Sequence, residues 1–401
     1  MTSSPSLFKL SMLLLLPACE PDGGNKLGGG GSRTVPTCDE GSATLGVAGE
    51  FAVDSFDFDM AYDPATLLIS GPVFTFELPA DISGVSATVD LPGKDVGFAF
   101  WGLDDAVFID ASRQDETEGA WWSAPYWHWG ALGGTVTLPI DPSTMPDGGG
   151  CLFVQPSALA MNQDGKSATM HVVTQRGDVG TGVIDVNIII VGGAALYQDE
   201  LDATVARMDQ VWSGGGGPSV GNVEIFEVGG SSYLYYDDSN ELRATELSGG
   251  NPQAVNLFIV DDYADEPGTL GEAGGIPGPL GLQGVDGAGT IVALDGHRMR
   301  DGSLDVSTMG ETMAHEIGHQ VGLFHTTESD GSRTEPLDDT AACPESADRD
   351  GDWYFSAEEC ADHDGRNFMF WITGNFTQDE VSPQQADVLS RSVVSRRVAS
   401  R

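Results

Sequence analysis

The chain has 401 residues, 40% of them hydrophobic, which is enough for more than one domain with its own core. Its 61 acidic and 18 basic residues give a formal net charge of −43. Because phosphates would be repelled, this charge excludes nucleic-acid binding as a leading function. The acidic residues are scattered between apolar stretches, so the charge does not by itself indicate disorder.

The first 19 residues have the pattern of an export signal. Lys9 is followed by a largely apolar run, residues 10–16, which is too short for a permanent membrane helix. Leu16-Pro17-Ala18-Cys19 then resembles a bacterial lipobox, in which Cys19 would carry the lipid. The alternative is an ordinary cleaved signal that happens to contain a cysteine. The lipobox resemblance implies an exported lipoprotein of the outer membrane or cell surface, which the cell could also release. Its only membrane attachment would be the N-terminal lipid.

Residues 20–36 are rich in glycine and predict a flexible tether. Residues 37–172 show short alternating runs separated by turn residues, which predicts an all-β sandwich domain. Five aromatic side chains fall between residues 121 and 129 of that region. They are either a stacking platform for a sugar or peptide, or loop aromatics that cap the sandwich core.

From residue 183 the pattern changes to an α+β domain that runs to residue 401. Residues 186–191 form a continuous apolar run, typical of a strand buried on both faces. Leu201, Val205, Met208 and Trp212 then recur at helical spacing, and further strands are predicted at 223–228, 254–260 and 289–294. The Gly- and Pro-rich stretch at 261–287 either borders a cleft or is a plain surface loop.

A second helix is predicted to begin at Thr308-Met309-Gly310-Glu311, which fits a capping box. Its apolar side chains at Met309, Met313, Ile317 and Val321 recur every four residues and should face the core.

This helix leads into His315-Glu316-Ile317-Gly318-His319-Gln320-Val321-Gly322-Leu323-Phe324-His325, an H-E-x-x-H-x-x-G-x-x-H motif. Two histidines four residues apart lie on one face of a helix and can hold one Zn²⁺. Glu316 can accept a proton from a water at the metal. Gly322 can take a positive φ, so the chain can turn and bring His325 in as a third ligand. Three protein ligands leave a coordination position open, as in catalytic zinc sites.

This segment resembles the zinc-binding signature of the metzincin metallopeptidases. The resemblance implies a Met-turn, for which Met369 in Asn367-Phe368-Met369-Phe370-Trp371 is the candidate. The stretch from Leu337 to Met369 is similar to the pappalysin-like branch. At the level of fold, the resemblance implies a metzincin-like catalytic domain with a twisted mixed sheet and a lower subdomain. It also implies that residues 290–294 form the edge strand along which an extended substrate pairs.

Five cysteines are present, and four remain if Cys19 carries lipid. Four cysteines allow three pairings. We predict Cys38–Cys151 and Cys343–Cys360, because each bond then stays within one predicted domain.

An acidic loop lies between Cys343 and Cys360. Asp348, Asp350, Asp352 and Glu359 have the spacing of EF-hand ligands, although Trp353 stands where that motif has glycine. The loop is either a structural Ca²⁺ site or a solvated acidic loop held by its disulfide. A last helix is predicted from Ser382-Pro383-Gln384-Gln385, with Ser382 as its N-cap.

Together these features predict an exported or surface-anchored zinc endopeptidase with one catalytic zinc ion. His315, His319 and His325 would bind the metal, Glu316 would act as general base, and the substrate would be a protein or peptide. We expect a monomer. The alternative is a cell-surface binding protein that grips a glycan or protein through residues 37–172, with an inactive zinc domain.

Overall fold

The computed structural model describes residues 34–38, 42–45, 50–63, 68–91, 96–110, 134–145, 149–159, 166–177, 180–191, 194, 196–229, 235–236, 249–263 and 268–397. The predicted export signal, Cys19, most of the tether and the aromatic stretch at 121–129 lie outside these residues. Within the described ranges, no helix combines the length and the apolar character needed to cross a membrane. The fold is mostly β with few helices, and residues 35–401 form one unit.

The first ten strands form one curled sheet. Their bounds are β1 Ala43–Thr44, β2 Phe51–Asp63, β3 Leu68–Ser70, β4 Phe74–Leu78, β5 Ile82–Asp90, β6 Val96–Leu103, β7 Ala106–Asp110, β8 Thr135–Leu138, β9 Gly150–Leu159 and β10 Lys166–Arg176. The strand order is β1-β4-β9-β3-β2-β10-β5-β8, with β6 paired to β9 and β7 to β6. Strand β2 joins the two halves, because residues 51–60 pair with β10 and residues 61–63 pair with β3.

Alternation along these strands directs one set of apolar side chains into a shared core. Phe76, Trp101, Leu138 and Met170 are buried in it, although they come from strands on both halves of the sheet. The described part of residues 37–172 is therefore built of strands, as the alternating runs predict. Its division into a two-layer sandwich stays a prediction.

The second sheet contains β11 Val183–Val191, β12 Ser219–Val228, β14 Val255–Val260, β16 Gly271–Ala273, β17 Thr290–Ala293 and β18 Ser395–Arg396. A separate pair is formed by β13 Tyr235–Tyr236 and β15 Asp262–Tyr263. The order is β12-β11-β14-β17-β16, and β18 pairs with β11. Strands β12, β11, β14 and β17 are parallel, which explains why β11 reads as a continuous apolar run.

The predicted edge strand is wrong in position. Residues 290–293 form β17, which lies between β14 and β16, so β17 has a neighbour on both sides. The edge is β16, which pairs antiparallel with β17. Strand β16 has only three residues inside a stretch rich in glycine and proline, so it carries no alternating pattern that could reveal it.

Three α-helices lie among the described residues: α1 Gln198–Gly214, α2 Val306–Gln320 and α3 Pro383–Arg391. Short 3₁₀ turns occur at Asp295–His297 and Glu345–Ala347. Helix α1 buries Leu201, Met208 and Trp212, as its spacing predicts. Helix α3 begins at Ser382, whose hydroxyl accepts from the backbone N–H of Gln385, which confirms the predicted N-cap.

One core joins the second sheet, the three helices and the first sheet. Val173 of β10 belongs to this core, and Phe51 of β2 packs against it. Both predicted disulfides are present, Cys38–Cys151 and Cys343–Cys360. The second disulfide lies in a separate small cluster with Phe355. The metzincin subdomain layout and the domain boundaries stay predictions.

Candidate metal centre

Helix α2 carries the whole H-E-x-x-H part of the motif, residues 315–319. It begins three residues earlier than the sequence predicts, because the N-cap is Asp305 and not Thr308, and the Asp305 side chain accepts from the backbone N–H of Thr308 at 3.1 Å. The predicted capping box from Thr308 to Glu311 is therefore wrong. Glu311 instead forms a salt bridge with Arg207 of α1, in which Arg207 Nη2 lies 2.7 Å from Glu311 Oε1.

The apolar stripe of α2 is confirmed. Met309, Met313, Ile317 and Val321 are buried in the core of the second sheet. Each such side chain contributes about 1.5–3 kcal/mol when fully buried, so the stripe fixes which face of α2 the histidines occupy.

The helix ends where the motif requires it to end. Gln320 is the last helical residue, and Gly322 has a φ of +109°, a conformation that L-residues with a side chain rarely adopt. The backbone N–H of Leu323 donates to the carbonyl of Gly318 at 2.9 Å. This turn carries the chain back toward the helix, so that His325 reaches His315 and His319.

The three imidazoles converge. Ring centroids are 4.5 Å apart for His315 and His319, 4.6 Å for His319 and His325, and 5.3 Å for His315 and His325. One candidate ligand atom from each residue lies within 4.8 Å of the others. The structure thus brings together all three residues that the motif names as ligands, and the group could bind a metal.

Each imidazole is oriented by a hydrogen bond at Nδ1. His315 Nδ1 lies 2.7 Å from the carbonyl of Phe368, and His319 Nδ1 lies 2.7 Å from the carbonyl of Leu323. His325 Nδ1 lies 3.1 Å from Oε2 of Glu328. Since these oxygens only accept, the neutral rings carry their proton on Nδ1 and leave Nε2 free as a ligand.

Burial favours this neutral form. It lowers the pKa of His315 to about 3, with the nearby His325 as the second cause. Burial also lowers the pKa of His319 well below its usual value. A metal ion binds the unprotonated imidazole, so the site is prepared for a metal without having to release protons at neutral pH.

The donor set suits zinc. Nε2 of His319 and Nε2 of His325 are 3.0 Å apart, and neither carries a proton in the neutral tautomers. Two imidazole nitrogens on a tetrahedral zinc, each about 2.0–2.1 Å from the ion, would be about 3.3 Å apart. Two lone pairs this close are stabilised by a cation between them, and three imidazoles are a common zinc set.

Glu316 is buried beside this group. Burial raises the pKa of its carboxyl well above the usual value, and the charge of Glu272 on β16 adds to the shift. The backbone of Gly271 passes very close, because a Cβ built there would lie 2.6 Å from Cγ of Glu316. The edge strand therefore covers the carboxylate that the motif assigns as general base.

The candidate Met-turn lies against α2. Met369 is fully buried, and a Cβ built on Gly318 would lie 2.5 Å from its sulfur. The backbone N–H of Met369 donates to Asn367 Oδ1 at 2.8 Å, and the carbonyl of the intervening Phe368 orients His315. Met369 thus packs against the helix between His315 and His319, and its role as a Met-turn stays a prediction.

Three contributors to the site escaped the sequence analysis. Glu328 orients His325 through a hydrogen bond. Because Gly318 and Gly271 have no side chain, Met369 and Glu316 can pack directly against their backbones. Only Gly318 had a local signal, as a glycine inside a helix that ordinarily costs about 1 kcal/mol relative to alanine. Glu328 lies only three residues after His325, but no regular spacing marks it as a partner. Gly271 lies in a segment without a recognisable pattern and contacts Glu316, which is far away in the chain.

The acidic loop at 348–359 brings carboxylate oxygens of Asp348, Asp350 and Asp352 within 4.8 Å of one another. They already accept backbone N–H bonds, such as Gly351 N–H to Asp348 at 2.7 Å. Glu359 accepts from the backbone of Arg349 at 2.9 Å. Trp353 takes a φ of +64°, the conformation for which glycine is favoured. Calcium binding here stays a prediction.

No family model and no curated protein matches the chain. Metalloproteinase-II from Bacteroides fragilis aligns with 55% of this chain and 62% of its own, at 13% identity and a TM-score of 0.32. Archaemetzincin from Archaeoglobus fulgidus aligns with 38% of this chain and 86% of its own, at 18% identity and a TM-score of 0.24. Archaemetzincin from Methanopyrus kandleri aligns with 38% and 79%, at 19% identity and a TM-score of 0.26.

These structural neighbours are metallopeptidases, but their similarity to this chain is low. The chain spans about 62% of the length of metalloproteinase-II. At such TM-scores the alignments carry no conclusion about activity. The functional assignment therefore depends on the residues and contacts of this chain.

Proposed function

We propose that the protein is a zinc-dependent endopeptidase. The observation that carries this proposal is the convergence of His315, His319 and His325 with every Nδ1 held by an oxygen acceptor. Three neutral imidazoles with free Nε2 atoms form the ligand set of a catalytic zinc site rather than a closed structural one. The substrate would be a protein or peptide. The pappalysin-like branch remains a proposal that depends on the sequence from Leu337 to Met369.

A bound zinc ion would polarise the scissile carbonyl and increase the acidity of water. The residues of the chain supply the rest of the chemistry. Glu316 would accept the proton of the attacking water and deliver it to the leaving amine. Its buried position, covered by Gly271, keeps bulk water away from the carboxylate. The raised pKa of Glu316 suits a group that must hold that proton between the two steps.

Replacement of Glu316 by Gln tests the assignment. Because the amide cannot accept a proton, we expect hydrolysis of fluorescent casein to fall at least about 1,000-fold. The zinc content, measured by plasma mass spectrometry, should equal that of the wild type. The exposed residue Glu345, changed to Gln, controls for the loss of one negative charge.

A Glu316→Gln variant that cleaves casein at the wild-type rate would refute the general-base role. A wild type that binds zinc but hydrolyses neither casein nor gelatin would refute the peptidase. That second result, combined with glycan or protein binding by the intact chain, would favour the alternative of a surface binding protein.

We also propose that the protein is exported and attached to the membrane by a lipid on Cys19. The two disulfides support an oxidising compartment, and they account for four of the five cysteines in the sequence, of which Cys19 is the fifth. An alkyne fatty acid fed to expressing cells should label the wild type. The Cys19→Ser variant should lose the label, and a label that persists in this variant would refute the assignment.

A further inference from the structure

Gln320 directly follows the second histidine of the motif, yet its side chain takes no part in the metal site. It is fully buried. Its Nε2 donates to the carbonyl of Pro279 at 2.8 Å and to the carbonyl of Gly287 at 3.0 Å. Its Oε1 accepts from the backbone N–H of Gly274 at 3.2 Å. Every one of these partners lies in the segment between β16 and β17.

This segment, residues 274–289, is called the 274–289 loop below. It has no regular secondary structure, although most of it is buried. Buried irregular backbone needs hydrogen-bond partners from elsewhere, because water cannot supply them. The side chain of Gln320 supplies two N–H donors and one oxygen acceptor to this backbone, so both of its amide hydrogens are used.

The loop is shaped to receive this side chain. A Cβ built on Gly278 would lie 2.3 Å from Nε2 of Gln320, so any larger residue there would displace the amide. The backbone N–H of Gly278 also donates to the carbonyl of Gln320 at 3.1 Å. At the neck of the loop, Gly274 N–H donates to the carbonyl of Gly289 at 3.0 Å. The contact between Gln320 and the loop is therefore close and specific.

The neck of the loop continues directly into the edge strand. Gly274 follows β16, and Gly271 at the start of β16 lies against Cγ of Glu316. Helix α2 thus contacts both this strand and the loop that directly follows it. Glu316 touches its first residue, and Gln320, one turn later, holds the loop at its end.

We propose that Gln320 is a positioning residue that fixes β16 relative to Glu316 by holding the 274–289 loop. The catalytic consequence rests on the proposed peptidase function, whereas the structural consequence does not. A cleft whose edge strand is already fixed binds an extended substrate without having to order that strand first.

The structure offers a matched control in Gln378. Its Nε2 also donates to two carbonyls, those of Gly365 and Ile372, both at 2.9 Å. Its Oε1 also accepts from a glycine N–H, that of Gly374 at 3.2 Å. Gln320→Leu and Gln378→Leu therefore remove the same set of bonds from two different segments.

Amide hydrogen exchange of the full chain with zinc tests the structural part. In Gln320→Leu, peptides covering 271–289 should exchange about tenfold faster than in the wild type, while peptides covering 365–374 should not change. In Gln378→Leu the pattern should be reversed. Unchanged exchange at 271–289 in Gln320→Leu would overturn the proposal.

Steady-state kinetics on fluorescent casein test the catalytic part. Loss of a pre-ordered strand weakens substrate binding, so Gln320→Leu should raise KM about tenfold with little change in kcat. A merely destabilised enzyme would instead lower the active fraction, which reduces apparent kcat and leaves KM unchanged. That second result, at equal zinc content, would overturn the positioning role.

Two further variants keep the test decisive if Gln320→Leu does not fold. Gln320→Glu keeps the size and the acceptor but loses both donors, and Gly278→Ala pushes the amide away without altering α2. Both should raise exchange at 271–289, and no increase in either would overturn the proposal. If the wild type has no hydrolytic activity, the peptidase proposal fails, and the exchange data still decide whether Gln320 fixes β16.

Discussion

The two sheets bury different kinds of polar side chain. Among the described residues up to 177, the buried polar side chains are all uncharged serine, threonine or glutamine. From residue 180 onward the described chain also buries ionisable groups, namely Asp185, His297, Glu311, Glu316, His319, Glu335 and Asp364. Burial of such groups costs free energy unless each has partners. The first sheet therefore behaves as a packed scaffold, and the candidate metal centre lies in the part of the chain that contains the second sheet.

The first sheet nevertheless contacts the segments around the candidate metal centre directly. Phe51 lies against the 274–289 loop, since a Cβ built on Gly281 would lie 2.9 Å from its ring. Thr137 of β8 lies against Gly322, with 3.0 Å from its Cγ2 to a Cβ built on that glycine. The two sheets thus differ in the kind of polar side chain that they bury, although the regions that contain them are in contact. The first sheet supports the turn that brings His325 into place.

The largest effect on stability is expected from the removal of a core side chain of the first sheet. Phe76 is fully buried, and its ring centroid lies 5.4 Å from that of Phe56. Phe76→Ala should reduce the free energy of unfolding by about 3–5 kcal/mol, measured by urea denaturation. Because Val173 and Phe51 of the first sheet pack into the core of the second sheet, we expect a single transition in far-ultraviolet circular dichroism and tryptophan fluorescence.

The same variant should keep the wild-type zinc affinity while it is folded, because Phe76 touches none of the metal-site residues. Val73→Ala, at a position 42% exposed, is the control and should change stability by less than about 0.5 kcal/mol. Two separate transitions would show that the sheets unfold independently, contrary to the comparison.

The next test addresses the cost of buried charge in the second region. Burial raises the pKa of Glu335 to about 7 from 4.5, partly offset by the hydrogen bond from Gln385. The folded state then holds a proton that the unfolded state releases between about pH 4.5 and 7. Stability contributed by this group is therefore present below pH 4.5 and is lost as the pH rises toward 7.

Glu335→Gln should remove this pH dependence. A shift of this size corresponds to about 3 kcal/mol, so the variant should gain up to that amount over the wild type at pH 8 relative to pH 4. Urea denaturation at both pH values measures the difference, and Glu345→Gln controls for the lost charge. A variant less stable than the wild type at pH 8 would mean that Glu335 is charged and compensated in the folded state.

The sequence predicted local features of the site well and long-range ones poorly. The helix, its apolar stripe and the turn at Gly322 follow from spacing within a short segment. Both disulfides follow from the requirement that each bond stay within one predicted domain, and Cys38–Cys151 joins residues 113 apart in the chain. The edge strand β16 did not, because three residues paired across a loop leave no periodic signal. The predicted start of the helix was wrong because the N-cap is Asp305 and not Thr308. Both Asp and Thr are favoured N-cap residues, so residue type alone does not choose between them.

Side-chain contacts between distant segments were equally hidden. Buried hydrogen bonds join the amides of Asn367 and Gln385 to the carboxyl group of Glu335, and these residues are up to 50 positions apart. Nothing in the neighbourhood of any of these residues marks it as buried. Such pairs depend on how helix α3 packs, which local propensity does not determine.

The smallest effect should come from the carboxylate behind the third histidine. Oε2 of Glu328 lies 3.1 Å from His325 Nδ1. Burial works to raise the pKa of Glu328, but its hydrogen bond with His325 brings that pKa below the usual value. A carboxylate in this place holds the proton of the imidazole on Nδ1 and leaves Nε2 free as a ligand. Loss of such a partner costs metal sites about 10- to 100-fold in affinity.

Glu328→Gln keeps an oxygen acceptor and removes the charge, so we expect the lower end of that range, about a tenfold weaker zinc affinity. Competition with a chromophoric chelator measures it, and Glu345→Gln is again the control. This effect should be confined to the part of the chain with the second sheet. Neutralising an exposed carboxylate on β2 of the first sheet should leave the zinc affinity unchanged. An unchanged zinc affinity would show that the turn at Gly322 alone holds His325 in place.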